Sequence, residues 1–335
     1  MQTALTKPLA ILGAGSWGTA LALHLSRLGQ PIYLWSKDAL QIESMQKTGE
    51  NKRYLPGQIF PDYLYPMHSL VKALEGVDDI LIAIPSAGFH EILMQLKNII
   101  SLQARLIIAA KGLDEKTEQL LHVLTEQILG KQHPIAVLSG PSFAKEVAIG
   151  LPTAIVIASC DLRFADNLVS RFSSPRFRVY LSKDIIGVEI SGVVKNILAI
   201  ATGISDGMGF GANARAALIT RGLVEMTRLG IALGGETDTF KGLAGLGDLI
   251  LTCTDDQSRN RRFGLNLGKG MTPELAQKAI GQTVEGKQNA ELIVKLAIKA
   301  GIEMPIAFAV AKVLQGLWSP VQAMQDLLSR APKAE

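Results

Sequence analysis

A succession of short apolar runs separated by amphipathic helical patterns constrains this chain's fold more than any other feature. The runs are Leu9-Ala-Ile-Leu12, Pro31-Ile-Tyr-Leu-Trp35, Asp79-Ile-Leu-Ile-Ala-Ile84, Arg105-Leu-Ile-Ile-Ala-Ala110, Ile135-Ala-Val-Leu138, Thr153-Ala-Ile-Val-Ile-Ala158 and Phe177-Arg-Val-Tyr180. Continuous apolar runs of this length suit parallel strands buried on both faces. Helical periodicity follows the first run as far as Leu28, closed by Gly29, and returns over residues 90–100, 117–129 and 163–172. Strand alternating with helix predicts a doubly wound α/β sheet. Beyond residue 186 strand patterns cease, and helical patterns take over, beginning with the stretch from Val188 to Asp206 and continuing through 214–229, 263–267, 272–281, 289–300 and 306–316. The expected organisation is a dinucleotide-binding domain over residues 1–186 and an all-helical substrate domain over residues 187–335, with 331–335 a loose tail.

The unusual residues of the first part fall where those strands end. Gly13-Ala-Gly15-Ser16-Trp17-Gly18 lies between a strand and a helix. In a Rossmann-type sheet the first glycine makes the tight turn, the second lets a pyrophosphate approach the backbone, and the third lets helix and strand pack closely. The free N–H groups and positive dipole end of the helix then face the phosphates. The second strand runs into Ser36-Lys37-Asp38, where an acidic residue would hold the ribose 2′-hydroxyl of NAD and a basic one a 2′-phosphate. Ser36 and Lys37 favour NADPH; an inward-turned Asp38 would admit NADH, and a solvated Lys37 would say nothing. Pro85-Ser86, Lys111-Gly112 and Gly140-Pro141-Ser142 close later strands. Ligands bind outside the carboxyl ends of strands in such sheets, so Lys111 leaves its strand into the expected crevice.

Three further features lie past residue 186. In Val188–Asp206 the residues Ser191, Gly192, Lys195, Ala199 and Thr202 share one helical face among apolar neighbours. Burial disfavours the charged form of a lysine and brings its pKa toward the range useful for proton transfer. The alternative is a lysine that lays its stem on the core and reaches solvent. Asp248, in Gly242-Leu-Ala-Gly-Leu-Gly247-Asp248, sits in glycine-rich apolar surroundings. It either pairs with a lysine such as Lys195 or caps the helix that follows. Ser258-Arg259-Asn260-Arg261-Arg262 opens another helix, where a hydroxyl, a guanidinium and free N–H groups make a phosphate site, the alternative being an exposed basic face.

Composition excludes other classes. With 34 basic and 30 acidic residues the net charge of +4 is too small and dispersed to imply nucleic acid. Cys160 and Cys253 form no zinc or disulfide spacing, so no metal site is indicated and a reducing cytoplasm is expected. The N-terminus lacks the charged and long apolar regions of a signal peptide. A lysine in the middle of the 188–206 stretch argues against a membrane span.

Taken together, the motifs Gly-Ala-Gly-Ser-Trp-Gly at 13–18, Ala-Lys-Gly-Leu at 110–113, Ser-Gly-Pro-Ser-Phe-Ala at 139–144, Val-Val-Lys-Asn at 193–196, Gly-Phe-Gly-Ala-Asn at 209–213, Gly-Leu-Gly-Asp-Leu at 245–249, Ser-Arg-Asn-Arg-Arg-Phe-Gly at 258–264 and Val-Glu-Gly at 284–286 resemble the bacterial NAD(P)-dependent glycerol-3-phosphate dehydrogenase family, over essentially the whole chain. The resemblance implies interconversion of dihydroxyacetone phosphate and sn-glycerol 3-phosphate for phospholipid synthesis, with Lys195 as proton donor or acceptor. It implies substrate contacts from Lys111, Gly140, Ser142, Lys195, Asp248, Ser258, Arg259 and Asn260. Cofactor contacts would come from Ser16, Trp17, Lys37, Tyr54, Lys111, Ala144, Arg259 and Glu285, beside the turn glycines Gly13, Gly15 and Gly18. The family varies at Trp17 and Lys37, and a homodimer is left open. The competing readings are a related 3-hydroxyacid dehydrogenase, which would need a carboxylate site, and a dinucleotide-sensing protein without turnover.

Overall fold

The computed structural model describes residues 7–330, so the expectations for the N-terminal residues 1–6 and the tail 331–335 lie outside the described residues. Two compact units emerge: one runs to Ala110 and resumes from Gln119 to Ile185, and the other takes Lys111–Glu118 and the chain from Ile186 onward.

The first unit is built on the strands β1 (Leu9–Leu12), β2 (Ile32–Trp35), β3 (Leu64–Met67), β4 (Asp79–Ile82), β5 (Arg105–Ile108), β6 (Ile135–Ser139), β7 (Thr153–Ala158) and β8 (Phe177–Ser182). They form one sheet in the order β3-β2-β1-β4-β5-β6-β7-β8, so the order reverses between β1 and β4 as a doubly wound sheet requires. Neighbours run parallel except β6 and β7, which pair antiparallel through Leu138 and Ile157. The helices are α1 (Ser16–Arg27), α2 (Ala39–Thr48), α3 (Leu70–Ala73), α4 (Phe89–Leu96), α5 (Leu121–Leu129), α6 (Ala144–Ile149) and α7 (Leu162–Phe172). The core gathers Leu9, Ile11, Leu21, Leu25, Leu81, Ile107, Ile157, Phe164 and Phe172, all essentially without solvent contact.

Two local expectations differ from what forms. β3 is an added edge strand, and its sequence Leu-Tyr-Pro-Met hid it: proline in a sheet belongs at such an edge, and only Leu64 of the four residues is buried. The helical pattern over 117–129 starts only at Leu121. Before it, Asp114 Oδ2 accepts hydrogen bonds from the N–H (2.9 Å) and hydroxyl (2.8 Å) of Thr117, and Glu118 takes a left-handed φ of 57°.

The second unit holds α8 (Ile185–Gly207), α9 (Ala212–Ala232), α10 (Thr237–Lys241), α11 (Asp248–Thr254), α12 (Arg259–Gly268), α13 (Pro273–Ile280), α14 (Glu285–Lys299), α15 (Pro305–Leu314) and α16 (Pro320–Ser329). α8 is long and apolar enough to cross a membrane by length and composition, yet 94% of its apolar window is buried inside the protein. It packs on α12 through bare backbone. A methyl group on Gly203 would fall 2.1 Å from the Arg261 carbonyl oxygen, and one on Gly264 2.1 Å from that of Ile200. Gly207 and Gly268 repeat the arrangement one turn on, against Leu265 and Ile204. No side chain fits at such distances, so this spacing is what lets the residues flanking α8 and α12 hydrogen-bond across the pair.

Replacing Gly264 by alanine therefore has to separate the two helices. The variant Gly264→Ala is expected to lose about 1–3 kcal/mol of stability, read as a lowered urea midpoint with unchanged slope.

Candidate functional site

The site is assembled most fully in the helical unit. The chain approaches Asp248 through Gly242–Gly247, where the Gly247 N–H reaches back to the Gly242 carbonyl at 3.1 Å across a widened turn. Such i→i+5 turns re-aim the residues that follow them. Gly245 is needed there because a methyl group would lie 2.2 Å from the Phe240 carbonyl oxygen.

Asp248, with 1% of its surface exposed, emerges carrying a lysine on each carboxylate oxygen. Lys111 Nζ donates to Oδ2 at 2.8 Å, and Lys195 Nζ donates to Oδ1. Lys195 also donates to the Thr252 hydroxyl at 3.0 Å, and that hydroxyl in turn donates to the Asp248 backbone carbonyl at 2.6 Å. The lysine thus points inward instead of reaching solvent, and Asp248 is a partner, with no side-chain capping bond to α11.

The electrostatics follow from burial and the unequal count of charges. Burial alone would raise the Asp248 carboxyl, but the Lys111 and Lys195 ammoniums outweigh it and hold the group below the ordinary carboxylate range. For Lys195, burial is the largest influence, Asp248 opposes it and Lys111 adds to it, leaving the ammonium at about 8. Glu285, half-buried, is raised by the loss of water, against the pull of Arg259, Lys111 and Lys195. Cys253, on the same helix as Asp248, is pushed by burial up to about 12 and is an inert core thiol.

α12 begins beside this cluster. Ser258 is its N-cap, accepting from the Arg261 N–H at 3.2 Å, so the N–H groups of Arg259 and Asn260 belong to the open first turn. Arg259 is half-buried and reaches Gln282 at 3.4 Å. Asn260 is 8% exposed, and its side chain joins helices: Nδ2 donates to Asn196 Oδ1 at 2.9 Å while Oδ1 accepts from the Gly286 N–H at 2.9 Å. What remains of Asn260 for a ligand is its backbone N–H and the second hydrogen on Nδ2. Arg261 is committed elsewhere, to Asp206 at 2.6 Å, to Asp256 and to the Cys253 carbonyl.

The first unit presents a separate set at the carboxyl ends of its strands. Gly13 has φ +116°, and a methyl group on it would fall 2.7 Å from the Ala83 carbonyl oxygen, at the point where strand order reverses. A methyl group on Gly18 would fall 1.9 Å from the Gly13 carbonyl oxygen, but one on Gly15 would meet nothing within 4 Å. The first turn of α1 has no side-chain cap and no acidic residue, and Trp17 Nε1 is buried there without a hydrogen-bond partner. Ser16 donates to the Tyr54 carbonyl at 2.9 Å, and Arg53 lies over the Tyr54 ring. These features fit a dinucleotide pyrophosphate: open space over Gly15, free N–H groups behind it, and a spare donor.

At the end of β2, Asp38 is the N-cap of α2, accepting from the Gln41 N–H at 3.1 Å and pairing with Arg53 at 3.0 Å. Ser36 is buried and donates to Gln41, while Lys37 is exposed. Gly140 turns with φ +125° at the end of β6, where its carbonyl accepts from the Ser142 hydroxyl at 2.9 Å, and Ala144 opens α6.

Of the residues singled out in sequence, Lys111, Lys195, Asp248, Ser258, Arg259, Asn260 and Glu285 thus come together in the helical unit. Gly13, Gly15, Ser16, Trp17, Gly18, Lys37, Tyr54, Gly140, Ser142 and Ala144 belong to the sheet unit. Sequence reading passed over Thr252, although it follows Asp248 by one helical turn, and Asn196, although it adjoins Lys195.

The family model described as NAD-dependent glycerol-3-phosphate dehydrogenase N-terminus matches residues 8–165, and that described as its C-terminus matches residues 184–325. A protein of Coxiella burnetii (strain Dugway 5J108-111) called glycerol-3-phosphate dehydrogenase [NAD(P)+] is 55% identical over 328 residues, 98% of each chain. One of the same name from Shewanella halifaxensis is 50% identical over 98% of each chain. The crystal structure of the glycerol-3-phosphate dehydrogenase from Coxiella burnetii superposes with a TM-score of 0.95 at 53% identity, covering 98% of this chain and all of that one. Matched in both its sheet and its helices, the chain belongs to the NAD-dependent glycerol-3-phosphate dehydrogenase family.

Proposed function

We propose that this chain interconverts dihydroxyacetone phosphate and sn-glycerol 3-phosphate with NAD(P)H in a reducing cytoplasm, supplying the glycerol backbone of phospholipids. In this reading residues 1–186 hold the dinucleotide and residues 187–335 most of the substrate. The observation that carries it is a buried lysine, at about 8, sharing one carboxylate with a second lysine beside a helix N-terminus suited to phosphate.

The reduced dinucleotide, when bound, supplies the hydride that adds to the ketone carbon. Lys195 Nζ donates a proton to the oxygen on which negative charge develops, and a lysine near 8 can both give and regain that proton near neutrality. Burial, which favours its neutral form, stabilises the lysine after the proton leaves. Lys111 places a second positive charge where the alkoxide forms. Asp248 and Thr252 accept hydrogen bonds from the Lys195 ammonium and fix its direction. Ser258, the Arg259 guanidinium and the first-turn N–H groups of α12 hold the substrate phosphate, so that binding energy from a group that does not react positions the one that does. Gly140 and Ser142 are assigned to the substrate as well. Ser16, Trp17, Tyr54, Ala144, Arg259 and Glu285 are assigned to the dinucleotide.

NADPH is the preferred coenzyme in this reading. Asp38 is used by its own helix and by Arg53, which leaves Lys37 as the charge available to a 2′-phosphate at the end of β2. A purified Lys37→Ala variant is expected to lose about tenfold in kcat/KM for NADPH, with NADH turnover unchanged. Equal loss with both coenzymes would show that Lys37 does not read the 2′ position.

The proton-transfer role has a signed pH dependence. Ketone reduction needs Lys195 protonated and falls as pH rises through about 8, whereas alcohol oxidation needs it neutral and rises through the same range. Loss of NADPH absorbance on adding dihydroxyacetone phosphate, followed against pH, checks this. Lys195→Met should lower kcat by about 10²- to 10⁴-fold with dinucleotide binding retained. Near-normal turnover would refute the assignment.

A further inference from the structure

Lys111 lies on a segment, Lys111–Glu118, outside any named helix or strand, so the place of its ammonium depends on what ties that backbone. At the far end the Glu118 carboxylate pairs with Lys299 at 2.5 Å and Lys295 at 3.7 Å, both of whose side chains are largely exposed. The tie nearer Lys111 is buried. The Leu113 N–H donates to Asn289 Oδ1 at 2.8 Å, and Leu113 and Asn289 are 0% and 1% exposed. Asn289 Nδ2 in turn donates to the Glu285 carbonyl at 2.9 Å.

We propose that Asn289 is a positioning residue for the reaction: its amide, steadied on its own helix by the Glu285 carbonyl, ties the backbone two residues beyond Lys111 to α14, and so holds Lys111 on Asp248. The proposal rests on the reading of Lys111, Asp248 and Lys195 given above.

The chemistry of the amide argues for this. One side chain must accept from an N–H and donate to a carbonyl in a place closed to water. Aspartate of the same length accepts but does not donate, and it sets a charge against the Glu285 carbonyl. Alanine does neither and strands a buried N–H. Lysine has a flexible four-carbon stem, so a loosened backbone at Leu113 frees the Lys111 ammonium to leave Asp248. Asp248 would then serve Lys195 alone, and the second ammonium that depresses Lys195 would be gone. The titratable groups about Lys195 are Asp248 and Cys253 on α11, Lys111, Arg259 on α12 and Glu285 on α14; of these, loss of the Asn289 amide displaces Lys111, while Glu285 stays on the helix that carries it. Lys195 would hold its proton to higher pH.

The test compares Asn289→Ala, Asn289→Leu, Lys111→Met and the double variant Asn289→Ala with Lys111→Met, each as the full chain, by kcat and KM for dihydroxyacetone phosphate across pH. Asn289→Ala is expected to lower kcat about tenfold with KM for NADPH within about twofold, and to move the alkaline limb upward by about half a pH unit. The double variant should be no slower than Lys111→Met within about twofold, because both act through one ammonium. Asn289→Leu, which keeps the volume but neither accepts from Leu113 nor donates, should shift the limb in the same direction and serves if the alanine variant does not fold. A limb that superposes on the unsubstituted protein's, or losses that multiply in the double variant, would overturn the proposal. If Lys111→Met alone changed neither kcat nor the limb, the reading of the lysine pair would fail and the proposal with it; a Lys111→Met effect without an Asn289 effect would remove the proposal alone.

Discussion

Asp248 takes one ammonium on each carboxylate oxygen at a point where 1% of its surface meets solvent. An isolated charge cannot be kept there, and two positive charges against one negative leave the group unbalanced. The imbalance falls on the lysine with the least solvent, Lys195, whose side chain is 8% exposed against 16% for Lys111. The sheet unit offers an instructive contrast. Asp79, equally buried, holds Arg105 at 2.7 Å and Arg171 at 2.5 Å at the start of β4. Guanidinium groups form rigid, directional forks, and that cluster ties β4 to β5 and to α7. The same charge arrangement built from lysines becomes a place where a proton can be given and taken.

The backbone around Asp248 exists to make that arrangement fit. α8 and α12 approach through Gly203, Gly207, Gly264 and Gly268, which brings Asn196 within hydrogen-bond reach of Asn260. Gly286 is bare for a related reason, since a methyl group on it would fall 2.6 Å from the Asn196 carbonyl oxygen. α8, α12 and α14 thus meet through backbone and two asparagine amides, and Lys195 and Glu285 ride on the helices so joined. The widened turn before Asp248 supplies the remaining element, turning an acid inward from a helix start.

Much of this was legible in the sequence. Apolar runs with helical spacing between them encode the sheet locally, and the glycine triplet at 13–18 encodes its turn, so the doubly wound unit followed from pattern alone. The lysine in α8 and the acid in the glycine-rich stretch were each conspicuous because a charge in apolar surroundings needs a partner. Chemistry alone calls for their pairing across 53 positions, whereas no feature of the sequence marks Lys111, 137 positions from Asp248, as the second partner. Asn289 carried no signal, since one asparagine within a helical pattern reads as ordinary until its partner 176 positions away is known. Residues 111–118 look like a continuation of the sheet unit, and what attaches them to the helical one is the set of bonds from Lys111, Leu113 and Glu118. Local periodicity cannot report bonds of that range.

Burial, opposed by one carboxylate and reinforced by one neighbouring ammonium, sets the proton affinity of Lys195. The most direct measurement is the titration of Lys195 itself, by NMR of an isotope-labelled lysine assigned through Lys195→Arg, in the unsubstituted protein and in Asp248→Asn. A midpoint near 8 is expected, falling further in Asp248→Asn, because the carboxylate is what holds the proton on against burial and Lys111. A midpoint at the ordinary lysine value in both proteins would contradict it.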